Sequence, residues 1–410
     1  NDLSINIKSL MNKNYFCLDI HTEVPEILAR LSNSLKVIPL INKEGIIIDF
    51  ATRDRIKTIP IASPYLQGNE LKYLTDCIKS NWISSTGKYI NKFENLFESY
   101  HNGMHALAVS SGTTALHLAL LGLKVKKGDE VIVPNLTFAA TINAIIYTGA
   151  TPVLAEIDSD LNIDSNLIEG KLTNKTKAIL IVHLYGKPCK MDKIMEITKK
   201  NNLFLIEDCA EAIGSKYKNN PVGTYGDAAT FSFFGNKTLT TGEGGMVIFK
   251  DAKAAVFSRE LRDHGMSKSR RYWHNNIGYN YRMTNLQAAI GVAQFEKLDK
   301  FIDRKSEIAT LYNNVLSESN YFLLPKEEIN TKHSYWLYTI TVKEDSPFSR
   351  TDFMKFLERN AIESRIIFYP LSEMPPYKKY VKGEDFKISK KFSEQSLSLS
   401  TSFNLSDNEL

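Results

Sequence analysis

Residues 231–246 read FSFFGNKTLTTGEGGM and set one lysine, Lys237, between an apolar run and a segment rich in Gly, Thr and Ser. The run that leads into it, AATFSFF, has the character of a buried strand or its end. The Gly244-Gly245 pair lets the backbone turn sharply before a second apolar run, MVIF. A lysine at such a junction is well placed to form an imine with a carbonyl cofactor. An amine attacks only when neutral, so this lysine needs surroundings that lower its pKa. An ordinary loop lysine has the same local appearance, and Lys and Arg together number 51. The rest of the chain decides between the two.

The chain has 410 residues, is 43% hydrophobic and carries a formal charge of +5. At roughly 100–200 residues per domain, that length predicts two or three domains with ample core. The charge is mild and dispersed, which argues against a nucleic-acid partner and leaves anionic small molecules as ligands. The four cysteines, Cys17, Cys77, Cys189 and Cys209, form no CxxC pair. Reduced thiols of a cytoplasmic protein are therefore expected, with no disulfide and no metal site. No apolar run reaches the roughly 18 residues of a membrane span, and no signal peptide is visible. The chain starts at Asn1 rather than Met, so the native start is expected to lie upstream.

From residue 61 onward, apolar strands alternate with helical patterns. HALAV leads through Ser-Ser-Gly-Thr-Thr into a helix, followed by DEVIVP, TFAATINAIIYTG, TPVLAEI, KAILIVHLYG, KIMEITKKNN and LFLIEDCAEAIG. Such alternation predicts a mostly parallel sheet covered on both faces, with ligands at the carboxyl ends of its strands. TNLQAAIGVAQFEKLDKFIDRKSEIATLYNNVL reads as one long helix linking to a smaller C-terminal α/β domain, in which SYWLYTITV and AIESRIIFYP are strands. The final LSTSFNLSDNEL reads as the start of a helix. Residues 1–58 differ: VPEILARL is a short helix, and KVIPLINKEGIIIDFATRDRI reads as strand, turn, strand and a helix starting at Thr52 or Asp54. The expected organisation is residues 1–58, residues 61–285 as the large domain, and residues 286–410 as the linking helix with the small domain.

Several residues at strand ends carry candidate chemistry. Ser111-Gly112-Thr113-Thr114 joins a strand to a helix, where backbone N–H groups and hydroxyls make an anion site, most simply for a phosphate. Asp208 ends an apolar strand, and a carboxylate there is costly to bury without a positive partner, such as a pyridinium nitrogen. His183 ends another strand, and Phe138 is placed where a ring face could stack.

Taken together, a phosphate turn, an aromatic, a strand-end His, a strand-end Asp and then Lys237 resemble the fold-type I pyridoxal-phosphate (PLP) enzymes. The stretches SSGTTALHLAL, VIVPNLTFAATINAI, HLYGKPCKMD, LIEDCAEAIGSKYK, FSFFGNKTLTTGEGGM and IGYNYRMTNLQAAIG resemble the DegT/DnrJ/EryC1/StrS sugar aminotransferases. The resemblance implies Lys237 as the Schiff-base lysine and Asp208 as partner of the pyridine nitrogen. It implies Phe138 stacked on the cofactor ring, with Gly112, Thr113 and Ser232 on its phosphate. Glu211 stands near the cofactor hydroxyl, where the family often has Gln. His183 is expected to line the pocket, and Asn280 to reach the phosphate in a neighbouring subunit, which implies a homodimer with shared active sites. The basic and aromatic stretch 262–282 is expected to meet a nucleotide diphosphate through Arg271 and Arg282, with Trp273 and Tyr279 stacking on base or sugar. The family often has His after a Pro-Leu pair where this chain has Ser372.

The implied activity is transfer of an amino group from L-glutamate to the 4-keto group of a nucleotide-linked 4-keto-6-deoxyhexose. GDP-4-keto-6-deoxymannose is the expected substrate, with a UDP- or GDP-linked 4-keto-6-deoxy-N-acetylhexosamine as the alternative. Family products usually enter surface polysaccharides such as O-antigen. Sugar dehydratases on the same scaffold carry His in place of the lysine, so Lys237 argues against that reading. A regulator that senses nucleotides through residues 1–58 is disfavoured by the intact lysine, aspartate and phosphate set. Residues 1–58 resemble a single CBS-type motif, with nucleotide sensing or assembly as its expected role.

Overall fold

The computed structural model describes residues 16–32, 34–53, 55–56, 58–407 and 409–410. By compactness the chain divides into two units, Asn1–Pro60 with Thr351–Ser364, and Ile61–Arg350 with Arg365–Leu410. The expected division between residues 285 and 286 falls inside the second unit.

The second unit is organised by a seven-stranded sheet. From one edge its order is His105–Val109, Gly245–Phe249, Ala228–Ser232, Phe204–Asp208, Thr176–Val182, Glu130–Pro134 and Thr151–Ala155. Only Gly245–Phe249 runs against the others, pairing antiparallel with both neighbours. The remaining pairings are parallel. Every strand is buried on both faces, which is why these segments read as unbroken apolar runs rather than alternating ones. Alternate residues still serve different layers: Leu107 and Val109 join one core, while Ala106 and Ala108 join the other.

The helices that flank the sheet start where the sequence supplies caps. Ser111 accepts from the Thr114 amide, and Thr114 Oγ1 accepts from the Ser111 amide, a reciprocal capping box opening the helix Gly112–Gly122. Thr284 and Gln287 do the same for Asn285–Phe295.

The long helix expected after residue 283 is instead two helices, Asn285–Phe295 and Leu298–Leu316. Lys297 lies at the break. Its ammonium is drawn inward to the Glu70 carboxylate and to Tyr65 O, and Gln294 Nε2 reaches Glu70 at 2.6 Å. Lys297 has φ −112° and ψ 4°, outside helical geometry. Further on, a four-stranded antiparallel sheet has the order Phe322–Leu323, Tyr338–Val342, Ser396–Leu399, Arg365–Ile366. The strands expected from SYWLYTITV and AIESRIIFYP are shorter than their apolar runs, leaving Trp336 and Phe368 outside the ladder. The final segment is the strand Ser396–Leu399 followed by turns, where a helix start was expected. There the Thr401 hydroxyl bonds the carbonyls of Tyr335 and Trp336, which holds the chain extended.

In the first unit, Val37–Ile41 and Ile47–Thr52 form an antiparallel hairpin, and Leu18–Asp19 adds in parallel. Asn42 Oδ1 accepts the amides of Glu44 and Ile46 and so shapes the expected turn. The helix Val24–Arg30 packs Ile27 with Leu31, Ile38, Leu40 and Ala51. Asp54, one of the two expected helix starts, lies outside the described residues, as do residues 1–15. Ile59 forms a parallel bridge with Ile362.

Gly245 starts the one antiparallel strand directly against Ser111. A Cβ there would lie 2.5 Å from Ser111 O and 2.8 Å from Gly112 N. Gly245→Ala is expected to destabilise the protein by about 1–3 kcal/mol. Denaturant unfolding would measure this, and an unchanged midpoint would contradict the close approach.

Candidate active site

Six parallel strands end on one edge of the large sheet, and a cavity of about 290 Å³ opens there. Gly112, Thr113, Phe138, Asp208, Glu211, Ser232 and Lys237 all line it. They come from four different strand ends or the segments that follow them, so the sheet itself gathers them.

One end of the cavity is the N-terminus of Gly112–Gly122. The capping box occupies the Thr114 amide. The amides of Gly112 and Thr113 stand in the first turn, where no intrahelical acceptor exists. Gly112 packs so close to Ser232 that a Cβ would lie 2.8 Å from Ser232 Cβ. That contact brings the Ser232 hydroxyl beside the helix end, and the combination fits a phosphate.

The other end holds three buried ionisable groups. Lys237 Nζ lies 3.3 Å from Glu211 Oε1. Burial pushes the Lys237 ammonium below its ordinary pKa, against the pull of Glu211 and Asp208. Burial raises the Glu211 carboxyl, opposed by Lys237 and by the Tyr185 amide, which donates to Glu211 Oε2 at 2.8 Å. Burial likewise raises Asp208, offset by the Ala210 amide on Oδ1 at 3.1 Å and the Thr141 hydroxyl on Oδ2 at 2.9 Å. A cationic ring nitrogen near Asp208 would relieve the cost of that buried charge.

His183 does not line the cavity. Its ring is fully buried, with Nε2 3.0 Å from Glu207 Oε2 and Nδ1 accepting the Cys189 amide at 3.0 Å. Because Nδ1 accepts, Nε2 carries the proton, and the ring is a neutral bridge between strands. Glu207 also accepts the amides of Gly223, Tyr225 and Gly226. His183 points to this carboxylate because the side chain after Val182 turns into the sheet's supporting layer.

The residues expected to meet substrate, or to complete a second subunit, do not reach the cavity of their own chain. Asn280 is exposed, its Oδ1 accepting from Arg282 Nε at 3.1 Å. Arg282 pairs with Asp263 at 2.9 Å. Arg271 lies over the Tyr272 ring, Trp273 lies under the Arg270 guanidinium, and Tyr279 stacks on Tyr281. Ser372 exchanges two hydrogen bonds with Asn135, at 2.9 and 3.1 Å.

Among the lining residues that the sequence reading did not single out are Thr141, Trp336, Arg365 and Phe368. Thr141 follows Phe138 by one helical turn, a spacing that places both on one face. Arg365 is in a strand of the smaller sheet, Trp336 and Phe368 lie in segments flanking its strands, and none of the three leaves a local signal.

The fold is that of the fold-type I PLP-dependent aminotransferases. A family model for the DegT/DnrJ/EryC1/StrS aminotransferases matches residues 64–410, and the chain belongs to that family. GDP-perosamine synthase of Escherichia coli O157:H7 is 50% identical over 329 residues, 80% of this chain and 89% of its own. The enzyme of the same name from Vibrio cholerae is 44% identical, covering 86% of this chain and 96% of its own. Among solved structures, a Helicobacter pylori aminotransferase involved in pseudoaminic acid biosynthesis superposes with a TM-score of 0.82 at 28% identity, covering 86% of this chain and 96% of its own. A putative sugar aminotransferase from Streptococcus pneumoniae in its PLP form gives a TM-score of 0.81 at 28% identity, over 86% and 96% of the two chains.

The cofactor of this class, pyridoxal phosphate, suits the cavity: an anion end, a carboxylate end and an amine. Thr141→Val removes one of the two hydrogen bonds to Asp208. Hydrogen bonds to charged groups contribute about 1.5–3 kcal/mol, so cofactor affinity is expected to fall about ten-fold or more. Equilibrium dialysis against free PLP measures it, and wild-type affinity would show that Asp208 does not depend on Thr141.

Proposed function

We propose that this chain moves the amino group of L-glutamate to the 4-keto group of GDP-4-keto-6-deoxymannose, giving GDP-perosamine. The observation that carries the reading is the buried Lys237 amine, set between Glu211 and Asp208 at the far end of a cavity from a phosphate-binding helix end. Its sugar assignment rests on likeness to the two GDP-perosamine synthases.

The amides of Gly112 and Thr113, with the Ser232 hydroxyl, would hold the cofactor phosphate. Phe138 would cover a ring face, and Asp208 would keep a proton on the ring nitrogen. Bound there, pyridoxal phosphate supplies the electron sink that lets an amino group leave one carbon and join another. Lys237 Nζ is the attachment point and then the proton carrier at the reacting carbon. Burial lowers its pKa, which favours the neutral amine that both tasks need. Glu211 sets the charge beside that amine and is fixed by the Tyr185 amide.

Substrate contacts are assigned to the exposed stretch that carries Arg271, Trp273, Tyr279 and Arg282. A homodimer in which Asn280 enters the partner's site would bring that stretch to the cavity. Among the described residues no helix is long and apolar enough to cross a membrane, and we assign the enzyme to the cytoplasm. Residues 1–58 lie outside the family match, and we assign them to assembly or nucleotide sensing.

Lys237→Ala is expected to abolish the bound cofactor's visible absorbance and all amino transfer from glutamate; retained turnover would refute the assignment. GDP-4-keto-6-deoxymannose and a UDP-linked 4-keto-6-deoxy-N-acetylhexosamine should be assayed side by side. The GDP sugar is expected to be the better substrate, and a preference for the N-acetylated sugar would overturn the sugar assignment. Arg271→Ala is expected to raise KM for the sugar nucleotide several-fold, about 1 kcal/mol of lost ionic contact, with KM for glutamate unchanged. Equal effects on both would remove Arg271 from the substrate site.

A further inference from the structure

A second lysine lies buried near the first, and the chemistry assigned to the site makes no use of it. Lys305, on the helix Leu298–Leu316, is only 7% exposed. Among the described residues no carboxylate pairs with it. Its Nζ instead meets four neutral oxygens: Thr401 Oγ1 at 2.8 Å, Thr401 O at 3.0 Å, Trp336 O at 3.2 Å and Tyr335 O at 3.5 Å. Burial alone lowers its pKa to about 7. Keeping an unpaired ammonium there costs stability, and an apolar side chain of similar length would pack as well.

Two of these acceptors are the carbonyls of one short segment, Tyr335-Trp336. Tyr335 has φ of +45°, a left-handed conformation unfavourable for a tyrosine. The next residue, Trp336, turns its indole to the active site. Its Nε1 donates to Asn236 O at 2.8 Å, the carbonyl just before Lys237. Its ring lies 3.6 Å from Lys237 Nζ. Tyr185 stacks against the Trp336 ring at 5.9 Å and against Phe368 at 5.6 Å.

We propose that Lys305 is a positioning residue: by gripping the carbonyls of residues 335 and 336, it holds the Trp336 indole against the Lys237 nitrogen. The indole then does two things. It fixes the backbone that carries Lys237, and its π face favours positive charge on the Lys237 nitrogen. The other charged groups facing that nitrogen are Glu211 and Asp208, which favour the cation, and Arg365, which opposes it. The inference rests on the reading of Lys237 as the cofactor-bearing residue.

The test uses holoenzymes of the wild type, Lys305→Met, Trp336→Phe and the double variant. Each is titrated with pH through its visible cofactor absorbance, unfolded thermally, and assayed for kcat and both KM values. Lys305→Met and Trp336→Phe are each expected to lower the titration midpoint by about half a pH unit, the size of a modest cation–π contact. Their double variant is expected to go no lower than the larger single effect, because both act through one contact. The kcat should fall roughly ten-fold with KM for glutamate within about two-fold, as for lost alignment rather than lost binding. A midpoint unchanged in Lys305→Met while its Tm falls would reduce Lys305 to a packing role. Additive midpoint shifts would separate the two residues and overturn the proposal as well. If Lys305→Met does not fold, Trp336→Phe carries the test alone, and an unmoved midpoint there overturns it. A wild-type holoenzyme with no Lys237-dependent visible band would instead defeat the functional reading beneath both.

Discussion

Three buried ionisable groups, Lys237, Glu211 and Asp208, share one cavity, and each is pushed by burial toward its neutral form. Coulomb attraction between lysine and carboxylates works the other way. The balance leaves the Lys237 ammonium below its ordinary pKa, a shift that burial imposes and a solvent-exposed lysine does not undergo. The architecture supplies what that balance needs. Parallel strands end together at one edge, so groups far apart in sequence meet there without long loops. Gly245 allows the single antiparallel strand to run against Ser111, which seats the phosphate end next to the lysine segment.

The supporting layer is held by satisfied polar groups rather than by apolar packing alone. His183 and Glu207 show this. Both lie fully buried, yet each ring nitrogen and each carboxylate oxygen has a partner. A neutral imidazole bridging to a carboxylate that also takes three backbone amides ties the ends of two strands and a following loop together. Asp208 stands next to Glu207 in the same strand and faces the cavity, so the rigidity of one residue positions the other.

How far the sequence reveals all this depends on distance along the chain. Ser111, Gly112, Thr113, Asp208 and Lys237 were legible because each sits at a strand end whose apolar run is visible locally. The alternation of strands and helices revealed the sheet for the same reason. His183 looked identical to Asp208 at that level, since both end apolar strands. Which way a side chain turns after the last ladder residue is set by tertiary neighbours, here Glu207 and the Cys189 amide. Trp336, Arg365 and Phe368 carried no signal because they reach the cavity only when the smaller sheet docks. The break at Lys297 was invisible because helical periodicity continues across it, and the partner its side chain meets there, Glu70, is more than 220 residues away.

The two departures from the family pattern can now be weighed against each other. Ser372 is committed to Asn135 through both its amide and its hydroxyl, and it does not line the cavity. Glu211 lines the cavity and touches the lysine. A glutamine in its place would keep the Tyr185 contact through its carbonyl oxygen but bring no charge. The charge therefore acts on Lys237, raising its proton affinity against burial, and Trp336 adds to it from the other side. Burial thus opposes both a carboxylate and a ring face at one nitrogen. Discrimination among sugars must then come from residues outside this charged cluster. The stretch bearing Arg271, Trp273 and Arg282 lies outside the cluster, with Arg271 and Trp273 exposed and held there by neighbours within the same stretch.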